Sequence, residues 1–360
     1  LLPFDALAAP TGGPVQAGQA NISQNQSGSL TTITQQSHRA AINWQTFNVG
    51  KNQTVKFQQP SVKASTLNRI LDQNPSQIFG QIKANGQVVL MNPNGVFFKP
   101  GAKVNVGSLV AGAMQIGIDD FMRGRYTLEA LKESAGRVIN EGTIEAADGG
   151  DVTLVGKSVT NHGVIVATAG KVNLVAGEQV TVDFDGDGLL RFAVDKAVLD
   201  NAESLDDQIE NTGDLIAEGG DVLITANAAD GVFRNAINNQ GLIKAGRIEN
   251  KGGRVRLVGM GPGASVLNTG QINVSAVGTV DNGGSVAVSA TNITHTGQIH
   301  ADADAGDGGN IRLDSSDTTL VSGTVTARSQ HRTGGEVKIL GQRVGLVEAA
   351  QVDASGATGG

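Results

Sequence analysis

From about Arg137 to its last residue the chain repeats one short phrase. Repetition at a period of this size marks a solenoid or an array and limits the fold before any other feature does. The phrase has three clauses. One is apolar-x-apolar behind a Gly-Gly pair, as in Val152/Leu154, Val222/Ile224, Val255/Leu257 and Ile311/Leu313. Another sets an apolar residue two before an asparagine: Val138 and Asn140, Val159 and Asn161, Ile209 and Asn211, Ile237 and Asn239, Val266 and Asn268. The last pairs a large with a small apolar residue: Ile144/Ala146, Ile165/Ala167, Leu215/Ala217, Ile243/Ala245, Ile272/Val274. A spacing of two puts both members on one face of a strand.

Three short strands with glycine turns between them make one coil, and each inward residue stacks on its copy in the next coil. Asn140 to Asn161 is 21 residues, and Asn239 to Asn268 is 29, as one longer turn per coil allows. Ordering one coil costs more conformational entropy than its few aliphatics return, so only stacking stabilises it. The expected fold is therefore all-β, a parallel β-helix with three short strands per coil. With 50 glycines in 360 residues, helices are hard to place. The asparagine column has two readings. Asparagine tolerates the left-handed backbone of a tight turn, and identical amides stacked one coil apart form a ladder.

Composition fits a long narrow core, because 39% of residues are hydrophobic but only 3% are aromatic. A net charge of −7 leaves no nucleic-acid footprint. No apolar run reaches 18 residues, so no transmembrane helix is expected. Cysteine is absent, which suits a chain threaded unfolded through a pore. Residues 1–9 read as the remnant of a signal peptide, with Ala6-Leu7-Ala8 as an A-x-A cleavage site. Residues 10–39 are polar strands that would cap the open edge of the first coil. Residues 40–112 form the first coils, 113–136 an extra-helical β insertion with a helical Leu128–Lys132 stretch, and 137–360 the repeat coils. A second insertion at 184–208 swells one copy. A final Gly359-Gly360 falls where the next clause would open, so the coil is expected to continue.

The most specific residues lie in the first coils. They are Ile42-Asn43-Trp44-Gln45-Thr46-Phe47-Asn48, then Leu67-Asn68-Arg69-Ile70, then Asn92-Pro93-Asn94-Gly95. The last is a strong turn, in which proline presets φ and asparagine and glycine are suited to positive φ. Trp44 and Phe47 are expected to plug the N-terminal end of the core.

With these motifs in order ahead of a matching repeat, the chain resembles the N-terminal secretion (TPS) domain of two-partner secretion exoproteins. These are the filamentous-haemagglutinin-like and high-molecular-weight adhesins of Gram-negative bacteria. Val96 stands where isoleucine is usual, and an upstream N-P-N-L motif has no counterpart, which places the chain nearer the high-molecular-weight branch. The resemblance implies a right-handed β-helix exported by the Sec route. It implies recognition in the periplasm by the POTRA domains of a partner outer-membrane transporter, then folding at the cell surface as a monomer. The full-length protein would bind a host receptor or polysaccharide. By the same match Asn68, Asn92, Pro93, Asn94 and Gly95 are secretion and folding determinants, with no cofactor.

Candidate chemistry is thin. Asp183, Asp185 and Asp187 match the first half of a calcium loop, but Val194 stands where the bidentate glutamate is needed. An acidic turn is the simpler reading, as it is for Asp302, Asp304 and Asp307. Five histidines lack metal spacing; His295, in the asparagine column, and outward His300 both read as solvated. A polysaccharide lyase or hydrolase would need carboxylates stacked on one face, and the outward column mixes Glu145, Val166, Ile216, Lys244, Asn273 and His300. A carbohydrate- or receptor-binding module, with 184–208 as the contact, is the main alternative function.

Overall fold

Most segments alternate buried and exposed side chains, while others, such as Val152–Gly156 and Asn235–Asn239, are buried throughout, and the segments are strands. The computed structural model describes residues 9–185, 189–201, 203–247, 249, 253–347 and 349–359, with side chains from 183 to 192 left aside. The fold is a right-handed parallel β-helix of three short strands per coil. The chain divides into two compact units, Leu1–Val164 with Val175–Ala197, and Ile165–Leu174 with Val198–Gly360.

In the first unit, Val55, Ile82, Val104 and Ile144 are successive register partners on Thr54–Gln58, Gln81–Ala84, Lys103–Val106 and Thr143–Ala146. All four are at most 1% exposed. The column is the large-apolar clause of the repeat, and it extends upstream of Arg137 into coils whose wording is less regular. The N-terminal edge is closed by antiparallel pairing. Thr11–Ala17 lies on Arg39–Thr46, and Ala20–Gln24 lies on Leu30–Gln35. Trp44 and Phe47 meet edge to face inside it, with ring centroids 5.5 Å apart.

A three-stranded antiparallel sheet of Arg125–Glu129, Gln179–Asp185 and Leu189–Lys196 stands outside the coils. Phe121, Tyr126, Leu128 and Val180 pack there against Met91, Val110 and Val155. Here the sequence reading needs correction. Leu128 and Glu129 belong to a strand, and the helix of this region is Ile118–Met122. Tyr126 and Leu128 are buried while Arg125, Thr127 and Glu129 are exposed. That alternation, fixed by burial under the sheet, overrides the helix propensity of the Leu-Glu-Ala-Leu-Lys run.

In the second unit three columns run in register. Ile209, Ile237, Val266, Ile293 and Thr319 form one. Leu215, Ile243, Ile272, Ile299 and Val325 form another. Val222, Val255, Val286 and Ile311 form the third. Thr319 is fully buried, and its hydroxyl is satisfied by Ser315 and by the Leu340 carbonyl.

Beside these columns the asparagines form a ladder. Asn211 Nδ2 donates to Asn239 Oδ1 (2.8 Å), and Asn239 Nδ2 donates to Asn268 Oδ1 (2.7 Å). In the first unit Asn140 Nδ2 donates in the same way to Asn161 Oδ1 (2.8 Å). The left-handed alternative fails. The only described non-glycine residues with positive φ are Ala169, Ser204 and Glu249. The glycine two places on is needed for a different reason, close approach. A Cβ on Gly241, Gly270, Gly297 or Gly323 would fall on the carbonyl oxygen of the glycine one coil earlier.

His295 continues the ladder and is buried, not solvated. Asn268 presents Oδ1 to Asn239, so its amide NH2 faces His295 Nδ1 at 2.9 Å. That contact requires Nδ1 to accept, which leaves the Nε2–H to donate to the Thr324 carbonyl (3.2 Å). The imidazole is thus held neutral and replaces an amide oxygen. Burial is the main cause of a pKa below the ordinary value, and nearby His300 lowers it further. His300, half-buried beside Asp302 and Arg328, is shifted in the same direction.

Because the folded state disfavours the proton, stability is complete above the unfolded pKa of about 6.5. It is lost as pH falls from there toward the depressed folded value, where the unfolded chain alone binds a proton. Urea unfolding at pH 7.5 and 5.5 should show a larger loss at pH 5.5 for the wild type than for His295→Asn, which restores an amide. Equal losses would remove the ladder histidine as the cause.

Candidate functional site

The Asn92–Gly95 turn is pinned on both sides. Proline fixes φ at the second position, and the Gly95 N–H closes the turn on the Asn92 carbonyl at 2.9 Å. Asn92 Oδ1 accepts from the Asn94 N–H (3.0 Å), the local bond asparagine makes at turn starts. Only Gly95 takes positive φ, at 127°; Asn94 does not, which corrects half of the turn reading.

The remaining groups reach away from the turn. Asn92 Nδ2 donates to the Asn74 carbonyl and to Ser76 Oγ, each at 3.0 Å. Asn94 Nδ2 donates to the Asp72 carbonyl at 2.8 Å. The Ser76 N–H returns a bond to the Gly95 carbonyl (2.9 Å). On the other side Ser134 Oγ donates to the Pro93 carbonyl. A Cβ on Gly95 would come within 3.2 Å of Phe97, Pro75 and the Arg137 carbonyl. The turn therefore joins the 72–76 loop of the coil before it to residues 134–137, which lead into the coil after it.

Asn68 does a second, separate task. It is fully buried on Ser65–Ile70 and accepts the indole N–H of Trp44 at 2.9 Å. Its own NH2 donates to the carbonyls of Val89 (3.2 Å) and Thr66 (3.3 Å). Asn68 is the register partner of Leu90, two residues before Asn92, so Asn68 lies on one strand and Asn92 just past the end of its neighbour, Gln87–Met91, with separate partners. Asn92, like Asn68, is 0% exposed. No partner touching the folded surface can read either side chain.

The sequence reading missed a neighbouring polar cluster. Buried Gln59 donates to Thr66 Oγ1 (3.1 Å) and to the carbonyls of Ala64 (3.1 Å) and Gln87 (2.9 Å), and accepts from the Gly86 N–H (2.9 Å). Thr66 in turn donates to Gln35. A glutamine before Pro60 reads as loop, so the one usable signal was the close spacing of Thr66 to Asn68. Similarly, Asn48 accepts the Gln77 N–H at 2.8 Å.

These groups are amides and hydroxyls bonded to backbone atoms and to one another, and the hydroxyls of Ser76, Ser134 and Thr66 are bonded to amides and carbonyls rather than to a base that would activate them. Among the described residues, no group of three or more His, Asp or Glu converges as a metal site would require. The side chains of Asp183, Asp185 and Asp187 lie outside the described residues. Asp302 binds Arg328 and Thr326, the pattern of a structural turn.

Set beside known proteins, residues 6–274 match the TPS secretion domain family. The chain belongs to that family: it is the secretion domain of a two-partner secretion exoprotein. Such domains engage a partner transporter. The exoproteins are exported to the surface of Gram-negative bacteria or released from it, and the family is not an enzyme class. A heme/hemopexin-binding protein of Haemophilus influenzae is 34% identical over 258 residues, 69% of this chain and 27% of that protein. Another protein of the same name and species is 48% identical over 80 residues, 22% of this chain and 9% of that protein. The chain thus spans about a quarter or less of the curated relatives it matches. The crystal structure of the HMW1 secretion domain from Haemophilus influenzae overlays with a TM-score of 0.79 at 24% identity. That overlay covers 98% of this chain and 100% of the other, and it shares the fold.

Proposed function

We propose that this domain targets a large exported protein to its own outer-membrane transporter and starts the folding of that protein at the cell surface. The POTRA domains of the transporter are the recognising part, and the chain they meet is unfolded. The observation that carries this reading is the burial of Asn68 and Asn92. Their side chains are legible to a partner only before folding, and afterwards they staple the first coils. The domain acts as a monomer and carries out no catalysis; its exposed polar columns support a surface role for the whole protein. Asn68, Asn92, Pro93, Asn94 and Gly95 are the determinants.

With the cognate transporter present, Asn92→Ala or Asn94→Ala should block appearance of the domain outside the cell while its synthesis continues. Immunoblots of cells and medium read this directly. Wild-type export by both variants would remove the turn from the mechanism.

The relatives' name favours a second reading for the whole protein, in which the exported molecule binds haem or a haem-carrying host protein. Capture of haem-loaded hemopexin by cells making the full-length protein tests it, and absence of capture refutes it.

A further inference from the structure

The first unit carries an uneven charge pattern. Residues 40–112 hold seven lysines and arginines against the single carboxylate of Asp72, in a chain of net charge −7. Three of the lysines lie on one sheet face. Thr32, Lys56, Lys83 and Asn105 are successive register partners, so Lys56 and Lys83 are direct cross-strand neighbours. Lys103 stands on the same face, in register with Gln81. The row ends at Glu145, in register with Asn105. All three ammonium groups belong to exposed residues. Among the described residues no carboxylate pairs with any of them. Like charges directly opposite on a sheet are destabilising, and among the described residues no ion pair offsets this one.

Around Lys56 and Lys83 the surface forms an open depression of about 520 Å³, to which Gln58 and Asn105 contribute amides, while the Asn85 amide at its edge is bonded at both ends to the Gln59 backbone. The charged groups that line it are all ammonium, and the large apolar side chains of these strands, Val55, Phe57, Ile82 and Val104, are buried. Among the described residues, the exposed large aliphatics of this unit, Val62 and Leu71, lie off these strands. A protein partner would need a buried apolar or aromatic anchor at the centre of the contact, and a membrane surface would need an apolar face to insert. The face offers neither. It offers lysine side chains rooted on neighbouring strands, whose backbones lie about 4.8 Å apart, with amides beside them for hydroxyl groups.

We propose that this face binds a linear anionic polysaccharide, carboxylated or sulfated. Lys56 and Lys83 are 27 residues apart and become neighbours only when two coils have stacked. The ligand therefore belongs to the folded domain, and the unfolded chain in transit does not bind it in this way.

The test uses dextran sulfate as the probe and uncharged dextran as its control, at pH 7 with the purified chain. The wild type should bind dextran sulfate despite its net negative charge, and should ignore dextran. Lys56→Gln/Lys83→Gln/Lys103→Gln should weaken binding by roughly tenfold or more and flatten the salt dependence by up to about three in log–log slope. Arg312→Gln, which removes a residue paired with Asp314 in the second unit, should change neither. The triple variant should melt at the same or a higher temperature, because a like-charge contact has gone. No binding by the wild type, equal binding by the triple variant, or equal binding to uncharged dextran overturns the proposal. Tighter binding to polyglutamate or to phosphatidylglycerol vesicles than to dextran sulfate also overturns it, in favour of an acidic protein or a membrane.

Discussion

Asn92→Ala is expected to destabilise the purified domain by about 2–4 kcal/mol, a large share of the 5–15 kcal/mol typical of folded domains. The substitution removes no apolar contact of consequence. Its cost comes from what it leaves behind. Ser76 Oγ is buried and loses its donor, the Asn94 N–H loses Oδ1, and the Asn74 carbonyl loses its partner across the coil. Each unsatisfied group costs about 1–3 kcal/mol when water cannot reach it. Asn74 is exposed and recovers its bond to solvent, so the total lies below the simple sum. Asn68→Ala is the comparison, because it strands the buried Trp44 indole N–H at a different place in the same coils. Urea unfolding gives both values. If Asn92→Ala unfolds within 0.5 kcal/mol of the wild type, the turn is no staple, on the usual tolerance for neutral substitutions. If both variants are destabilised alike but only Asn92→Ala fails in export, the turn is read as sequence by the transporter as well as used in folding.

The sequence was most legible where it repeats. Ile144, Leu215, Ile243 and Ile272 announce their column because each coil spells the same clause, and the structure stacks Leu215, Ile243 and Ile272 in register. Repetition also made the asparagines visible, but it could not separate turn from ladder. That choice depends on whether neighbouring backbones let the amides meet, which is a distance between coils and not a residue type. His295 was misread because an imidazole nitrogen can replace an amide oxygen as acceptor, an equivalence that a search for identical side chains does not see. The outer structure was legible as β insertions outside the coils, but not as one sheet. Arg125–Glu129 and Gln179–Asp185 lie about fifty residues apart and each occurs once, so no period links them. For the candidate site, proline and glycine gave away the Asn92–Gly95 turn itself. Its partners Asp72, Ser76 and Ser134 come from irregular loops, whose positions follow from the coils they join and from no local signal.

Gly270→Ala is expected to have the larger effect, a loss of more than about 4 kcal/mol and with it the cooperative folding of its coil. The reason is not backbone freedom, since Gly270 does not take positive φ. An alanine Cβ there would lie within 2.6 Å of three backbone atoms of Gln240 and Gly241. Backbone atoms cannot turn aside as a side chain can, so relief requires the two coils to separate. Separation would stretch three ladder bonds made at this corner. The N–H groups of Thr269 and Gly270 both donate to the Asn239 carbonyl, at 2.9 and 3.0 Å, and the Gln271 N–H donates to Gly241 at 2.9 Å. It would also pull Asn268 from Asn239, breaking the amide ladder beside it. Gly278 supplies the contrast. Its φ is 72° and a Cβ there meets nothing within 4 Å, so Gly278→Ala should cost only the backbone strain of about 1–2 kcal/mol. Circular dichroism with urea unfolding of the two variants separates close approach from conformational strain. A Gly270→Ala protein as stable as Gly278→Ala would mean that the coils are not held at the spacing the glycine column demands. The in-register stacking on which both the ladder and the lysine row depend would then have to be given up.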